Sequence, residues 1–209
     1  MVKIGIGSIL QASIVNSRFS MSNIIRTFIA VEIPEKIILS IARIQEGIKN
    51  YGFKIRWVRP ESIHLTLKFL GNIEAADTEN VGRAVYEAAK SYPPLSLKAK
   101  GVGVFPGIKR PCVVWVGITG QLETFGRLQK TLDENLEAIG FSKEKRPFKG
   151  HLTLGRIKKK IDTKTFIEAL DSFGNFETET FAVDRVVLFK SELKASGAVY
   201  TKLMSARLA

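Results

Sequence analysis

The sequence predicts an α+β fold made by duplication: a bilobal chain in which two antiparallel sheets face a central cleft and the helices cover the outer faces. Three observations carry this. The tetrapeptide His64-Leu65-Thr66-Leu67 returns as His151-Leu152-Thr153-Leu154, 87 positions later, and holds both histidines of the chain. Each copy follows a segment that reads as strand then helix. Finally, strands and helices alternate with no glycine-rich phosphate loop opening a helix, which argues against a nucleotide-binding parallel sheet.

The elements follow in order. Residues 24–33 are β-branched and aromatic, which indicates a buried strand. Pro34-Glu35 opens a helix whose inner face is Ile37, Ile41, Ile44 and Ile48, and Asn50-Tyr51-Gly52 ends it. Short strands are expected at 54–58 and 62–69, with a turn at Gly71-Asn72. A second helix, capped by Asp77 or Thr78, buries Val81, Ala84, Val85, Ala88 and Ala89 and stops at Tyr92-Pro93-Pro94. Extended segments at 95–105 and 112–118 flank a loop containing Lys109 and Arg110. The third helix, 122–139, turns Leu122, Phe125, Leu132, Leu136 and Ile139 inward and ends at Gly140. A basic stretch with Lys143, Lys145, Arg146 and Lys149 leads into the second tetrapeptide. A short helix at 163–170 and strands at 176–189 and 200–206 complete residues 23–209 as one bilobal domain. Residues 1–22 read as an extension outside it, with an apolar run, 4–10, far too short to cross a membrane.

Composition narrows the function. The 209 residues are 45% hydrophobic and 25% charged, enough for a sizeable core. With 32 Lys+Arg against 20 Asp+Glu the formal net charge is +12, a field that attracts polyanions, nucleic acid first among them. The one cysteine, Cys112, excludes an intrachain disulfide and points to a reducing cytoplasm. One cysteine and two histidines cannot build a thiolate zinc site, and no close ligand spacing is present; neither metal nor cofactor is expected.

Side chains alternate along a strand, so His64 and Thr66 share one face while Leu65 and Leu67 anchor the other, and the second copy repeats this. Two facing copies would bring two imidazoles together. A lone strand histidine is more often structural, but identical duplicated tetrapeptides with no other histidine point to a pair. With an unperturbed pKa near 6.5, one imidazole accepts a proton while the other donates one. In-line displacement at a phosphodiester needs that combination. Strict alternation places Lys68 on the His64 face, able to reach the cleft directly. Arg156 falls on the opposite face unless Gly155 bends the strand. Arg110 is a loop cation that could clamp phosphate. Phe105, Trp115 and Phe148 could stack on a base, although core packing is their commoner fate. The run Lys158-Lys159-Lys160 is a solvated face that, near a cleft, would steer RNA.

The chain resembles the two-histidine (2H) phosphoesterase superfamily, and within it the RNA 2′,3′-cyclic phosphodiesterases, also called 2′-5′ RNA ligases. Beyond the two tetrapeptides, Phe28-Ile29-Ala30-Val31-Glu32-Ile33, Trp57-Val58-Arg59-Pro60-Glu61, the continuation Lys68-Phe69-Leu70-Gly71, Gly103-Val104-Phe105-Pro106 and Val114-Trp115-Val116-Gly117 are similar to that family, in its order. The resemblance spans about residues 25–206. It implies the bilobal architecture, His64 as proton donor, His151 as proton acceptor, and Thr66 and Thr153 on the phosphate oxygens. The residues alone give the pair and leave the two roles open. It further implies a metal-independent cyclic phosphodiesterase that opens a terminal 2′,3′-cyclic phosphate to a 2′-phosphate. Its partner would be RNA with such an end, tRNA fragments among them, with no membrane involved, and the expected form is a cytoplasmic monomer. The alternatives are a phosphodiesterase of small cyclic nucleotides and an RNA end-binding module without turnover.

Overall fold

Strand β1 (Ile24–Glu32) is buried from residue 27 to 31, as its β-branched and aromatic content demands, in a computed structural model that describes residues 23–195 and 197–209. The extension expected over 1–22 lies outside the described residues. Helix α1 (Glu35–Lys49) starts at Pro34, carries Glu35 in its first turn and Lys49 in its last, and buries Ile37, Ile41, Ile44 and Ile48. Strands β2 (Ile55–Trp57) and β3 (His64–Glu74) follow, then α2 (Thr78–Ala89), β4 (Leu95–Phe105) and β5 (Val113–Gly120). Helix α3 (Leu122–Glu137) leads to β6 (His151–Ile157), and α4 (Thr163–Asp171) leads to β7 (Phe181–Val183), β8 (Arg185–Lys194) and β9 (Gly197–Arg207). Asp162 caps α4, accepting from the Thr165 N–H at 2.8 Å.

The strands pair antiparallel in the order β7-β4-β5-β6-β3-β1-β8-β9, with β2 laid against β6. This order is palindromic. In each half the strand carrying the tetrapeptide is innermost, beside the strand that precedes it by one helix: β6 beside β5, β3 beside β1. The two antiparallel halves join where Leu65 of β3 sits opposite Leu152 of β6, so the sheets expected to face across a cleft form one continuous sheet. The four leucines of the tetrapeptides enter the large core beneath it.

The helices tie the halves together. Helix α1 leaves the β3 half and reaches the other: its Gln45 donates to the Leu154 carbonyl at 2.9 Å, and Lys36 pairs with Glu179 at 2.6 Å. Helix α3 makes the reverse crossing, with Asp133 bonded to Lys68 of β3.

Three local expectations need correction. Gly71-Asn72 is not a turn: β3 runs through it, Asn72 opposite Arg26, because β1 continues alongside and an irregularity between Thr27 and Phe28, with Gly71 at φ +76°, absorbs the break. The strand expected over 176–189 is interrupted, with β7 pairing on β4 and β8 pairing on β1. Leu122 and Ile139 remain solvent-facing at the ends of α3; Leu128 joins Phe125, Leu132 and Leu136 inside.

Candidate active site

His64 opens β3 and His151 opens β6, and both rings are held alike. The Nδ1 of His64 lies 2.8 Å from the Ser62 carbonyl, and that of His151 lies 2.7 Å from the Lys149 carbonyl. A carbonyl only accepts, so each Nδ1 carries a proton and donates it. The neutral tautomer is thereby set, and Nε2 is left as the nitrogen that exchanges protons with a ligand. Such a ring accepts a proton at Nε2 when neutral and donates one there when charged. His64 is half-buried between Phe28, 4.6 Å between ring centroids, and Tyr200, 5.2 Å and edge-on. That burial pushes its pKa below the ordinary histidine value; the Ser62 carbonyl acts the other way, and the nearby His151 adds to the lowering. Phe105 sits edge-on to His151 at 5.0 Å. Burial likewise raises the Tyr200 phenol above its usual range.

Alternation holds through the threonines and then fails in both halves at the same place. In β3, Ile29 is opposite Lys68 and Ala30 is opposite Thr66, so Leu67 is an extra residue. In β6, Val114 is opposite Gly155 and Trp115 is opposite Thr153, so Leu154 is extra. A bulge of this kind reverses the facing of everything beyond it. Lys68 therefore turns away from the cleft, contrary to expectation. It is 8% exposed, bonds to Asp133 and donates to the Ser142 carbonyl at 2.7 Å. Phe69 takes the cleft position in its stead, opposite Phe28. By the same reversal Arg156 enters the cleft, as the bend at Gly155 would require. Positions five residues after each histidine are thus equivalent, and they hold Phe69 in one half and Arg156 in the other.

The second bulge is held by buried polar groups. The Leu154 carbonyl accepts from the Val58 N–H at 2.8 Å and from Gln45 Nε2, which also donates to the Val58 carbonyl at 2.8 Å. Gln45 is 1% exposed, so these bonds compete with no water. Gly155 allows β2 to lie close: a Cβ there would come 2.6 Å from Ile55 Cγ2.

His64, Thr66, Thr153 and Arg156 line a cavity of about 450 Å³; His151 lies outside its lining. Among the described residues, five cations line it, Arg26, Arg56, Arg59, Arg156 and Lys158, and no carboxylate does. Arg59 bridges its rim, donating to the Ala198 carbonyl in the β8–β9 hairpin at 2.8 Å. Arg110 is exposed in the β4–β5 loop and does not line the cavity. Of the expected aromatic platforms, Phe105 and Trp115 pack together at 5.0 Å beside His151, while Phe148 packs on Phe125 at 5.6 Å, in the core. Within the lysine run, only Lys158 reaches the cavity. Sequence reasoning missed Arg26, Arg56, Phe28 and Tyr200 as site residues. Phe28 opens one family-like segment and Arg56 immediately precedes another, whereas Tyr200 arrives from a strand far along the chain and left no local signal.

Comparison with known proteins agrees with this duplication. The LigT-like phosphoesterase family matches the chain twice in succession, over residues 31–115 and 116–200. The RNA 2′,3′-cyclic phosphodiesterase of Methanothermobacter thermautotrophicus is 33% identical over 184 residues, covering 88% of this chain and 99% of that one. That of Aquifex aeolicus is 35% identical over 166 residues, covering 78% and 88%. Among solved structures, TT0787 of Thermus thermophilus superposes with a TM-score of 0.72 at 26% identity, covering 88% of this chain and 97% of that one. Escherichia coli LigT superposes at 0.68 with 22% identity, covering 89% and 98%, a likeness of fold.

Proposed function

The chain belongs to the LigT-like phosphoesterase family, and from that premise we propose that it is an RNA 2′,3′-cyclic phosphodiesterase working by paired histidines without a metal. The observation that carries the proposal is the matched seating of the two imidazoles: both Nδ1 atoms donate to a backbone carbonyl two residues upstream, and His64 lines a cationic cavity with no carboxylate among its described lining residues. A polyanion is drawn to such a cavity, and the two Nε2 atoms are left for proton transfer.

In this reading the terminal cyclic phosphate sits between the halves, its non-bridging oxygens accepting from the hydroxyls of Thr66 and Thr153. His151 Nε2 takes a proton from water as the water oxygen attacks phosphorus. The P–O3′ bond breaks, and His64 Nε2–H protonates the departing O3′. The products are a 2′-phosphate and a 3′-hydroxyl. Assignment of donor and acceptor follows the family resemblance. Burial lowers the His64 pKa, and an anionic phosphate beside the ring acts in the opposite direction, favouring the charged donor. With a 5′-hydroxyl as nucleophile in place of water, the same groups would form a 2′-5′ linkage, the P–O3′ bond breaking as before. Among the described residues no helix is long and apolar enough to cross a membrane. The protein's expected setting in this reading is the cytoplasm, as a monomer.

The test is hydrolysis of a short RNA ending in 2′,3′-cyclic phosphate, with EDTA present, by the native chain and by His64→Ala and His151→Ala. The expected product is the 2′-phosphate, lost in both variants. Binding of the RNA without turnover would favour an end-binding module, and turnover confined to small cyclic phosphates would favour the nucleotide phosphodiesterase.

A further inference from the structure

We propose that the buried ion pair of Lys68 and Asp133 is a positioning device for His151: through it, the half of the fold that carries His64 fixes the loop whose backbone carbonyl sets the tautomer of the other histidine. This rests on the reading of His64 and His151 as the reacting pair.

The two imidazoles are seated alike, but their seats are built differently. The Ser62 carbonyl that takes the His64 Nδ1–H belongs to a tight 3₁₀ turn, Pro60–Ser62, closed by local bonds from the Ser62 N–H to the Arg59 carbonyl at 2.8 Å and from the Ile63 N–H to the Pro60 carbonyl at 3.0 Å. The Lys149 carbonyl that takes the His151 Nδ1–H lies at the end of the irregular stretch 138–150, between α3 and β6. Among the described residues, 142–150 make no backbone-to-backbone hydrogen bond. A stretch without its own ladder is held only by the groups it meets.

Those groups clasp it to α3 at two points. Asp133 accepts from the Glu144 N–H at 3.2 Å, and Lys68, bonded to Asp133, donates to the Ser142 carbonyl at 2.7 Å. Eight residues earlier on α3, about 12 Å along its axis, Phe125 receives the ring of Phe148, the residue before Lys149. The Lys68 and Asp133 side chains are only 6% and 10% exposed, the one buried ion pair among the described residues. Taking two ions out of water is costly, and an apolar pair of the same volume packs as well or better. What the ions add is the two bonds to the loop backbone, which apolar side chains cannot make. With those bonds in place the Lys149 carbonyl faces His151, Nδ1 keeps its proton and Nε2 is left to accept one. Neither Lys68 nor Asp133 lines the cavity, so both act through the loop.

The test is NMR of the ring nitrogens after nitrogen-15 labelling of histidine, in which the two histidines of the chain report separately, together with hydrolysis of a short RNA ending in 2′,3′-cyclic phosphate. At about pH 8.5, where imidazole is neutral, the native chain should carry its proton on Nδ1 in both rings. The double substitution Lys68→Met with Asp133→Leu replaces the ions by apolar groups of similar volume, a change that folded proteins tolerate. His151 should then shift toward the Nε2–H form while His64 keeps its Nδ1–H, and kcat should fall about 10²-fold with KM within about 2-fold of native. Asp133→Asn, which keeps the side-chain shape but offers one acceptor oxygen to two donors, should show the same selective shift to a smaller degree, and it carries the test if the double variant does not fold. A folded variant whose His151 keeps its Nδ1–H overturns the proposal. So does loss of the tautomer at both histidines together, which would make the pair a general support of the sheet, and so does a shift at His151 that leaves kcat unchanged. If native protein hydrolyses no cyclic phosphate while His151 alone changes tautomer in the variants, the catalytic reading fails and the positioning role stands.

Discussion

The two halves of the cleft begin from the same four residues and part company after them. Up to the threonines they are equivalent: strand opening, histidine, buried leucine, threonine, bulged leucine. Beyond the bulge, the β3 half places Lys68 on its inner face, bonded to Asp133 of α3, and Phe69 on the cleft. The β6 half has Gly155 on its inner face, where β2 lies against it, and Arg156 on the cleft. His64 is walled by Phe28 and Tyr200, with Phe69 beyond Phe28, whereas the ring beside His151 is Phe105; the arginines line the cavity that His64 and both threonines share. Duplication supplies the pair of imidazoles, and divergence just after it makes the two sides of the cleft chemically different.

The comparison breaks most visibly at what the halves share. Replacing either histidine by alanine should lower kcat/KM on a cyclic-phosphate RNA by about 10²- to 10⁴-fold, the range of a lost general acid or base. The double variant should fall little below the weaker single one, because the pair acts as a unit.

Where the halves differ, the equivalent-looking cations should fail in different ways. Lys68→Ala leaves Asp133 as a buried, unpaired carboxylate and should destabilise the fold by about 3–5 kcal/mol in chemical denaturation. Arg156→Ala should leave the denaturation midpoint nearly unchanged, within about 0.5 kcal/mol, and raise KM for RNA. Equal stability losses would show that Arg156 is structural too.

Gly155→Ala sharpens the contrast at smaller scale. The added methyl meets Ile55 and the Trp57 ring, and overpacking of this kind costs about 1–3 kcal/mol. Since β2 carries Arg56, the variant should also weaken RNA binding, read as a higher KM.

The smallest effect is on the proton. With its pKa lowered by burial and by His151, His64 in phosphate-free solution should be protonated to a smaller extent at any pH near its midpoint than an exposed histidine. Its NMR titration should move up when His151 is replaced by glutamine, since a charge that disfavours the imidazolium is removed, and up again when phosphate is added. Movement downward in either case would contradict the geometry described for the pair.

Much of this site was legible in the chain. The duplication, both histidines, both threonines and the anchoring leucines follow from two tetrapeptides and a period of two, since adjacent residues of a strand must point oppositely. The inward faces of α1 and α2 were equally plain from helical spacing. Facing beyond Leu67 and Leu154 was not. A bulge depends on which residues of β1 and β5 lie opposite, and nothing within Lys68-Phe69 or Gly155-Arg156 announces that the count has slipped. Alternation therefore put Lys68 on the wrong face and made Arg156 conditional on a bend. Arg56 opposite Arg156, Tyr200 against His64 and Gln45 beneath the bulge each join residues 100 or more positions apart. What the sequence determined by itself is the presence of two equivalent imidazole-and-hydroxyl strand faces, because they are written in local, repeated residues. Tertiary structure alone decided which cations and aromatics complete the cleft, because facing after a bulge is set by the register of neighbouring strands, and register is a property of the assembled sheet.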